Sequence, residues 1–507
     1  MNENLLYGAG LAGYLGVMIL VGYLVKDRNK TSEDYLVAGR SFGLFYNSGT
    51  LTACFLGGGI LIGASGKMFS VGVWDIHTLS GGTILLFGGF LMCLFLTGTF
   101  YMRKLWRMKL ISLGDFFYLR YGRRTGFIST LLISCTFIFW VAVQILVFGK
   151  IVNAVLGWDL HLSIFIAMVV ICTYTMLGGL FAVCFTDIIQ VSVCILGVVV
   201  MVPFAIEAVG GWDTLVATHN PDLLHFIPPT RELDPWLAWF AAFSVVGLGS
   251  IVSPDLLQRA FSAKTPNIAR NSAYVAFTIV LLFSILIGVL ALSGEILVRI
   301  GAITDKYLLG SAAEGIVADP ELILPVMAKQ LLPLPVLILF LGAGLSAVMS
   351  AAATALLALS GMISMNIYRD IINPESSPKQ QVFVSRLLVM VLGVAATIIA
   401  ISYPSAAEVT AFGFDLILSS LFSAMTLGLF WKKANAIGVS AGMLVGILFR
   451  IIGAVIDSGE FSLVAMAYPE HWYYFTLLSP LLSIITAVVV SLSTQKVCPP
   501  IPLVERG

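Results

Sequence analysis

The chain has 507 residues, of which 59% are hydrophobic and only 11% are charged. Soluble domains carry about 25% charged residues, so this composition excludes a soluble globular protein and indicates a polytopic membrane protein. The formal net charge is +1, and no basic cluster is interleaved with aromatic residues, so the sequence gives no sign of a nucleic-acid partner.

Thirteen apolar runs are long enough to cross a bilayer as helices, at about 20 residues each. They lie at about 5–25, 43–69, 75–100, 127–155, 161–179, 182–208, 236–257, 271–299, 335–366, 383–402, 406–430, 434–456 and 473–494. No small-residue cleavage site follows the first run, so we expect a retained span and not a signal peptide. The predicted fold class is an all-α polytopic membrane protein with about 13 transmembrane helices in a lipid bilayer.

The basic residues are distributed unevenly between the predicted loops. If the N-terminus is outside, only seven of the 28 Lys and Arg residues are outside: Lys67, Lys150, Arg231, Arg299, Lys306, Lys329 and Arg450. The positive-inside rule then predicts an outer N-terminus and a cytoplasmic C-terminus. We expect a multi-pass protein of the cell (inner) membrane.

Three consecutive glycines, Gly57, Gly58 and Gly59, interrupt the second apolar span. Each glycine costs a helix about 1 kcal/mol relative to alanine, and backbone groups freed by a break find no water inside a bilayer. A broken helix therefore has to line a cavity, where its carbonyl oxygens can bind a cation. The alternative is that the glycines only allow a neighbouring helix to pack closely.

A second interrupted span contains Gly247, Gly249 and Pro254. A proline inside a helix removes a backbone hydrogen bond and costs about 3 kcal/mol. The two interrupted spans each open a unit of five spans, one at 43–208 and the other at 235–431. Because five is odd, the second unit enters the membrane from the opposite side, which is the inverted-repeat arrangement of many secondary transporters.

The remaining segments flank these two repeats. We expect 1–42 to form a leading helix and a cytoplasmic loop, 209–234 to form an outer loop, and 432–507 to form two trailing helices and a cytoplasmic tail. The amphipathic stretch from Glu321 to Leu332 is expected to be a short lid or interfacial helix on the outer side.

Three acidic residues fall at membrane depth, where ionisable groups are functional candidates. Asp187 is either an acid near a helix N-terminus or a relay for a cation. Asp255 directly follows Pro254 and is either a helix cap or a substrate contact. For Asp415, a structural hydrogen-bonding role and a functional role are equally compatible with the sequence.

A cation site is predicted between the first break and the ninth span. Sodium prefers several oxygen ligands, and the carbonyls of Ala53, Leu56 and Ala347 together with the Ser350 hydroxyl would form a partial shell. The alternative is that the small residues of the ninth span serve tight helix packing.

Trp140 and Gln144 lie one turn apart on the fourth span. The tryptophan could hold a substrate by stacking, or a quaternary ammonium by a cation–π interaction of up to about 2 kcal/mol; the alternative is ordinary packing. The chain has no HExxH sequence and no P-loop lysine motif, so neither a zinc enzyme nor ATP-driven transport is supported.

Several motifs resemble the sodium:solute symporter family, whose members transport sugars, proline, pantothenate, sialic acid, iodide or choline. They are Ser32 to Arg40, Tyr174 to Val183 leading into Thr186 to Gln190, Ser253 to Arg259, Ala347 to Ser350, and Asn366 to Tyr368. The resemblance implies a LeuT-type 5+5 inverted repeat with one extra helix before it and two after it. It also implies that Asp187 lies on the inward exit path of sodium.

Within the family, the chain is most similar to the high-affinity choline transporter branch. Trp140 matches a tryptophan that holds the ammonium group there, but Phe55 and Ser253 stand where further tryptophans are expected. The substrate site that we predict comprises Phe55, Gly57, Gly58, Gly59, Trp140, Gln144, Gly249, Ser253 and Phe414.

The ion-site helix departs from the family pattern. Ala351 follows Ser350 where the family has a second hydroxyl, and Ala353 stands where it often has an aspartate. The retained candidate sodium ligands are Ala53, Leu56, Ala347, Ser350 and Asp187. Proton coupling or uncoupled exchange is therefore an alternative to sodium coupling.

These observations predict a secondary active transporter, not an enzyme, that takes up a small organic solute by alternating access and is coupled to sodium. A quaternary amine is one candidate for the solute, and no cofactor is expected beyond the coupling ion. A transporter-like membrane sensor is the rival class.

Overall fold

The computed structural model describes residues 13, 16, 36–71, 88–218, 227–228, 230–310, 318–403, 405–460 and 470–503. Within these residues the chain is almost wholly helical, and backbone pairing outside helices is limited to one isolated bridge between Phe42 and Ala263. The expected all-α fold is confirmed.

The helices of the first half lie between residues 44 and 218. In chain order they are α1 (Leu44–Phe55), α2 (Ser65–Val71), α3 (Phe90–Leu96), α4 (Met102–Arg107), α5 (Leu113–Tyr121), α6 (Arg123–Leu156), α7 (Leu160–Val209) and α8 (Trp212–Thr218).

The helices of the second half lie between residues 233 and 493. In chain order they are α9 (Leu233–Ser244), α10 (Pro254–Ser262), α11 (Pro266–Arg299), α12 (Lys306–Leu309), α13 (Ile323–Leu331), α14 (Leu334–Ile363), α15 (Pro378–Ser402), α16 (Ala406–Ile417), α17 (Ser423–Phe430), α18 (Ala436–Ser458) and α19 (Trp472–Ser493).

The described residues contain nine helices long and apolar enough to cross a membrane, and a bent pair that makes a tenth span. All ten coincide with predicted spans. Of the other three predicted spans, one corresponds to the shorter apolar stretch Leu160–Met176. The span predicted at 5–25 lies almost wholly outside the described residues, and the span predicted at 75–100 is described from residue 88 onward, where it contains α3.

The first interrupted span is broken at the predicted glycines. Helix α1 ends at Phe55, and after Leu56 and Gly57 the chain resumes as the π-helical turn Gly59–Ala64, which leads into α2. The two halves are bent by 48°. The last carbonyls of α1 therefore have no continuing helix whose N–H groups could donate to them.

The second interrupted span changes its conformation in three steps. Helix α9 passes through the π-helical turn Val245–Gly249 and the 3-10 turn Ser250–Val252. Ser253 is then extended, with φ −81° and ψ 124°, and Pro254 starts α10. Proline is favoured at a first helical position because its missing N–H would have no helical partner there.

The two broken helices lie against each other, because α10 packs on α1. Their ends are also joined by backbone bonds: the Phe42 N–H donates to the Ser262 carbonyl at 3.2 Å, and the Lys264 N–H donates to the Phe42 carbonyl at 2.9 Å. The two halves of the chain therefore meet at these discontinuous spans.

Helix α7 is helical over 50 residues but does not run straight. The Tyr174 and Thr186 hydroxyls are hydrogen bonded to each other, although twelve residues of straight helix would separate them by about 18 Å. The chain therefore turns between these residues, as expected if 161–179 and 182–208 cross the membrane separately.

The expected lid helix is present as α13, preceded by the 3-10 turn Pro320–Leu322. The buried Glu321 carboxylate accepts the backbone N–H groups of Ala406 and Ala407 at the start of α16, at 2.9 and 3.0 Å. It also pairs with Lys150 of α6 at 2.7 Å. Burial alone would raise the pKa of Glu321, but Lys150 and the N–H groups hold that pKa below its usual range.

A second buried ion pair ties the trailing helices to the second repeat. Arg450 of α18 donates to Asp415 of α16, and both side chains are fully buried. Thr476 of α19 donates to the same carboxylate at 2.9 Å. Lys150 and Arg450 are two of the cations that the sequence assigns to the outer side, and tertiary pairing buries them both. Asp415 takes the structural role.

Removing one partner of this pair should destabilise the protein more than removing both. We expect Arg450→Met to cost about 3–5 kcal/mol, because it leaves the Asp415 carboxylate buried and uncompensated. The double variant Asp415→Leu/Arg450→Met should recover most of that loss. Thermal unfolding in detergent measures both effects, and a double variant as unstable as the single one would contradict the prediction.

Candidate functional site

A cluster of polar side chains surrounds Asp187, which is fully buried. The Ser350 hydroxyl of α14 donates to one oxygen of the Asp187 carboxylate, and the Thr50 hydroxyl of α1 donates to the other. The cluster thus joins α7, α14 and the first broken helix. Asp187 lies five residues into the span Val183–Val209, so the interpretation as an acid near a helix N-terminus and the interpretation as a cation relay both remain open.

The guanidinium of Arg259 enters the same cluster from α10. Its Nη2 lies 3.2 Å from the Asp187 carboxylate, and it also donates to Thr50 at 3.0 Å and to Thr354 at 3.1 Å. Arg259 is fully buried, so its charge is balanced inside the protein by Asp187. The sequence placed Arg259 on the cytoplasmic side and gave no signal for this contact.

The other predicted ion ligands lie on two of the helices that form this cluster. Ala53 and Leu56 are buried in the last turn and the break of α1, and Ala347 is buried one turn before Ser350 on α14. The Ser350 hydroxyl donates its hydrogen to Asp187, so its lone pairs remain available to a cation. The side chains of Ala351 and Ala353, in contrast, offer no oxygen to that cation.

A small cavity of about 10 Å³ lies beside the two breaks. Four aromatic rings enclose it, with the centroid of Phe90 5.4 Å from Phe55, 6.1 Å from Trp140 and 6.2 Å from Phe414. The residues that line it are Cys54, Phe55, Phe90, Trp140, Ser250, Ser253, Asp255, Leu256 and Phe414. This volume holds about one water molecule, whereas ligand pockets commonly span about 300–1,000 Å³, so the cavity is nearly closed in this conformation and has to widen to admit a solute.

The three glycines of the first break pack against α6. A Cβ on Gly57 would lie 2.8 Å from the Gln144 side-chain oxygen, and one on Gly58 would lie 2.7 Å from the Val147 Cβ. The same Gln144 oxygen accepts the Gly58 N–H at 2.9 Å. The glycines therefore break the helix and also allow close packing, so both interpretations from the sequence apply.

The predicted substrate residues fall into two groups. Phe55, Trp140, Ser253 and Phe414 line the cavity, whereas Gly57, Gly58, Gly59, Gln144 and Gly249 do not. The residues of the latter group contact the lining residues or the break instead. Gln144 accepts the Gly58 N–H at the first break, and a Cβ on Gly249 would lie 2.4 Å from the Phe414 carbonyl.

The sequence missed Cys54, Phe90, Ser250 and Leu256 as cavity residues. Nothing in the sequence marks Phe90 as a cavity residue, because a phenylalanine in an apolar span is expected to pack against lipid or other helices. Asp255 was considered as a substrate contact, and its position beside the second break was the available signal.

The arrangement places a polar ion cluster and an aromatic cavity on the same two broken helices. Such a site suits a secondary transporter built from an inverted repeat, in which relative motion of the repeats opens the site alternately to each side. No grouping of His, Cys, Asp and Glu that could hold a metal ion is found within the described part of the chain.

Comparisons with known proteins agree with this class. A sequence model of the sodium:solute symporter family matches residues 35–446, and the chain belongs to this family. High affinity choline transporter 1 of Homo sapiens is 27% identical over 455 residues, covering 86% of this chain and 75% of that protein. The osmoregulated proline transporter of Bacillus subtilis is 24% identical over 505 residues, covering 98% and 96%.

A solved structure shows the same fold. The Na⁺-coupled sialic acid symporter in its outward-open state has a TM-score of 0.78 at 20% identity and covers 96% of this chain and 97% of that chain. The LeuT-type fold is therefore confirmed. The protein is a sodium-coupled symporter of the membrane and not an enzyme.

Adding a side chain at the first break should impair transport without unfolding the protein. A Gly58→Ala side chain would collide with Val147, and overpacking of this kind costs about 1–3 kcal/mol. We expect uptake to fall by about tenfold or more, since 1.4 kcal/mol corresponds to a factor of ten. Proteoliposome uptake measures the loss.

The matched control is Gly43→Ala, because no atom lies within 4 Å of a Cβ there. Adding Val147→Ala to Gly58→Ala should restore part of the activity by making room. Full activity of Gly58→Ala alone would show that the close approach is not needed.

Proposed function

We propose that this symporter takes up a small quaternary amine, with choline as the test compound. The aromatic lining carries the proposal: four rings meet around a small, nearly closed cavity beside the two helix breaks. A desolvated ammonium over such rings gains about 2 kcal/mol from cation–π attraction. The similarity to high-affinity choline transporters also supports this substrate class.

Sodium is proposed to bind between the first break and α14, on the carbonyls of Ala53, Leu56 and Ala347 and the Ser350 hydroxyl. Asp187 contributes negative charge next to this site. Sodium accepts several oxygen ligands at once, and the carbonyls at the end of a broken helix are the usual source of them in this class of transporter.

The direction of transport follows from the proposed orientation. The N-terminus is outside and the C-terminus is cytoplasmic, in the cell (inner) membrane, because the basic loop residues are concentrated on one side. The burial of Lys150 and Arg450 in ion pairs supports this assignment, since it removes two cations from the outer loops.

Uptake by proteoliposomes tests substrate and coupling together. The purified protein is offered choline, proline, sialic acid and a neutral sugar under an imposed sodium gradient, and separately under a proton gradient. We expect choline uptake that only the sodium gradient drives. Uptake driven equally by protons would contradict sodium coupling, and transport of only a sugar or a carboxylate would contradict the amine.

Removing the Ser350 hydroxyl should weaken ion dependence. In Ser350→Ala, the sodium concentration at half-maximal uptake should rise by about three- to tenfold, because one hydroxyl interaction contributes about 1 kcal/mol. The matched control is Ser293→Ala, a buried hydroxyl that donates to Val289 of its own helix at 2.8 Å. An unchanged sodium dependence in Ser350→Ala would exclude the proposed ion site.

A further inference from the structure

Asp255 brings a carboxylate to the wall of the aromatic cavity. It is the second residue of α10, directly after the Ser253 break, and its side chain lines the cavity while remaining 2% exposed. One carboxylate oxygen accepts the Leu256 N–H at 2.7 Å. The residue therefore caps its helix in part and faces the cavity as well, so the two interpretations from the sequence are compatible.

The charge of Asp255 is not balanced by a direct ion pair. Arg259, one turn further along α10, directs its guanidinium to Asp187, Thr50 and Thr354, and it reaches only the backbone carbonyl of Asp255, at 3.5 Å. Among the residues that the structure describes, no Lys, Arg or His side chain pairs with the Asp255 carboxylate. A buried carboxylate that lacks a direct ion pair is costly, and ionisable groups at membrane depth commonly mark substrate or ion pathways.

The groups that face Asp255 across the cavity are aromatic. The rings of Phe55, Phe90, Trp140 and Phe414 line the same cavity as Asp255, together with Cys54, Ser250, Ser253 and Leu256. Ring faces carry partial negative charge and attract cations. A carboxylate beside aromatic rings therefore attracts a cation and repels a solute that presents a carboxylate to the same wall.

We infer that Asp255 is a specificity-determining residue that supplies the counter-charge for the ammonium group of the substrate. The inference rests on the proposed function, because it requires that the solute is cationic. It adds that the choice between a cation and a neutral molecule of the same shape depends on one carboxylate. Truncating one member of a buried charged contact commonly costs a factor of ten or more in affinity.

The first test compares three probes on the wild-type protein in detergent at fixed sodium. The probes are choline, dimethylbutanol, which is its uncharged carbon isostere, and glycine betaine, which adds a carboxylate. We expect choline to bind at least about tenfold more tightly than either of the others. Equal binding of choline and dimethylbutanol would overturn the inference without any variant.

The second test removes the charge of Asp255 at nearly constant shape. In Asp255→Asn the preference for choline over dimethylbutanol should fall by about tenfold or more, while affinity for dimethylbutanol is retained. Asp255→Glu keeps the charge and should keep the preference. The surface variant Asp213→Asn, in the first turn of α8, should match wild type.

The outcomes separate the inference from the function on which it rests. If wild type takes up choline and a folded Asp255→Asn keeps the full preference for the cation, the inference is overturned and the proposed function stands. If wild type neither binds nor transports choline or another amine, the proposed function fails. If Asp255→Glu loses the preference for choline over dimethylbutanol while its melting temperature is unchanged, the preference depends on the shape of the side chain and not on its charge. That result also overturns the inference.

Discussion

The contact between Asp187 and Arg259 is the constraint on which the rest of the site depends. A carboxylate and a guanidinium, both fully buried, are tolerated at membrane depth only when each satisfies the other. Asp187 belongs to the first repeat and Arg259 to the second, so their pairing fixes how the two halves of the chain meet. Thr50 and Thr354 complete the bonds of the guanidinium and bring α1 and α14 to the same point.

This constraint also relates the ion cluster to the cavity. Arg259 and Asp255 lie one turn apart on α10, so one short helix contacts the Asp187 cluster at one end and the aromatic cavity at the other. A sodium ion at Ser350 and Asp187 would change the charge that Arg259 experiences. Arg259 and Asp255 share one helical turn, so the proposed ion site and the proposed substrate contact would be joined through α10.

The breaks themselves are stable because other side chains satisfy their backbone. Gln144 accepts the N–H of Gly58, and Pro254 removes a donor at the start of α10. Glu321 caps the start of α16 while pairing with Lys150. The same few polar groups therefore hold the irregular backbone inside the protein and join helices that have to move relative to one another during alternating access.

The sequence by itself determined the class of fold. Apolar runs of about 20 residues require spanning helices, because the bilayer leaves backbone groups no other partner. Glycine and proline located both breaks for the same local reason. These features depend on neighbours along the chain, so they are readable from the order of residues.

Tertiary structure alone decided which side chains share a site. Phe90 reaches the cavity and Arg259 reaches Asp187 because helices distant in sequence pack together, and nothing local to either residue specifies that contact. For the same reason Gln144, Gly57 and Gly58 face one another behind the cavity, whereas the sequence suggested that they touch the substrate. The ion pairs of Lys150 and Arg450 likewise form only when α6 packs against the 3-10 turn before α13 and α18 packs against α16.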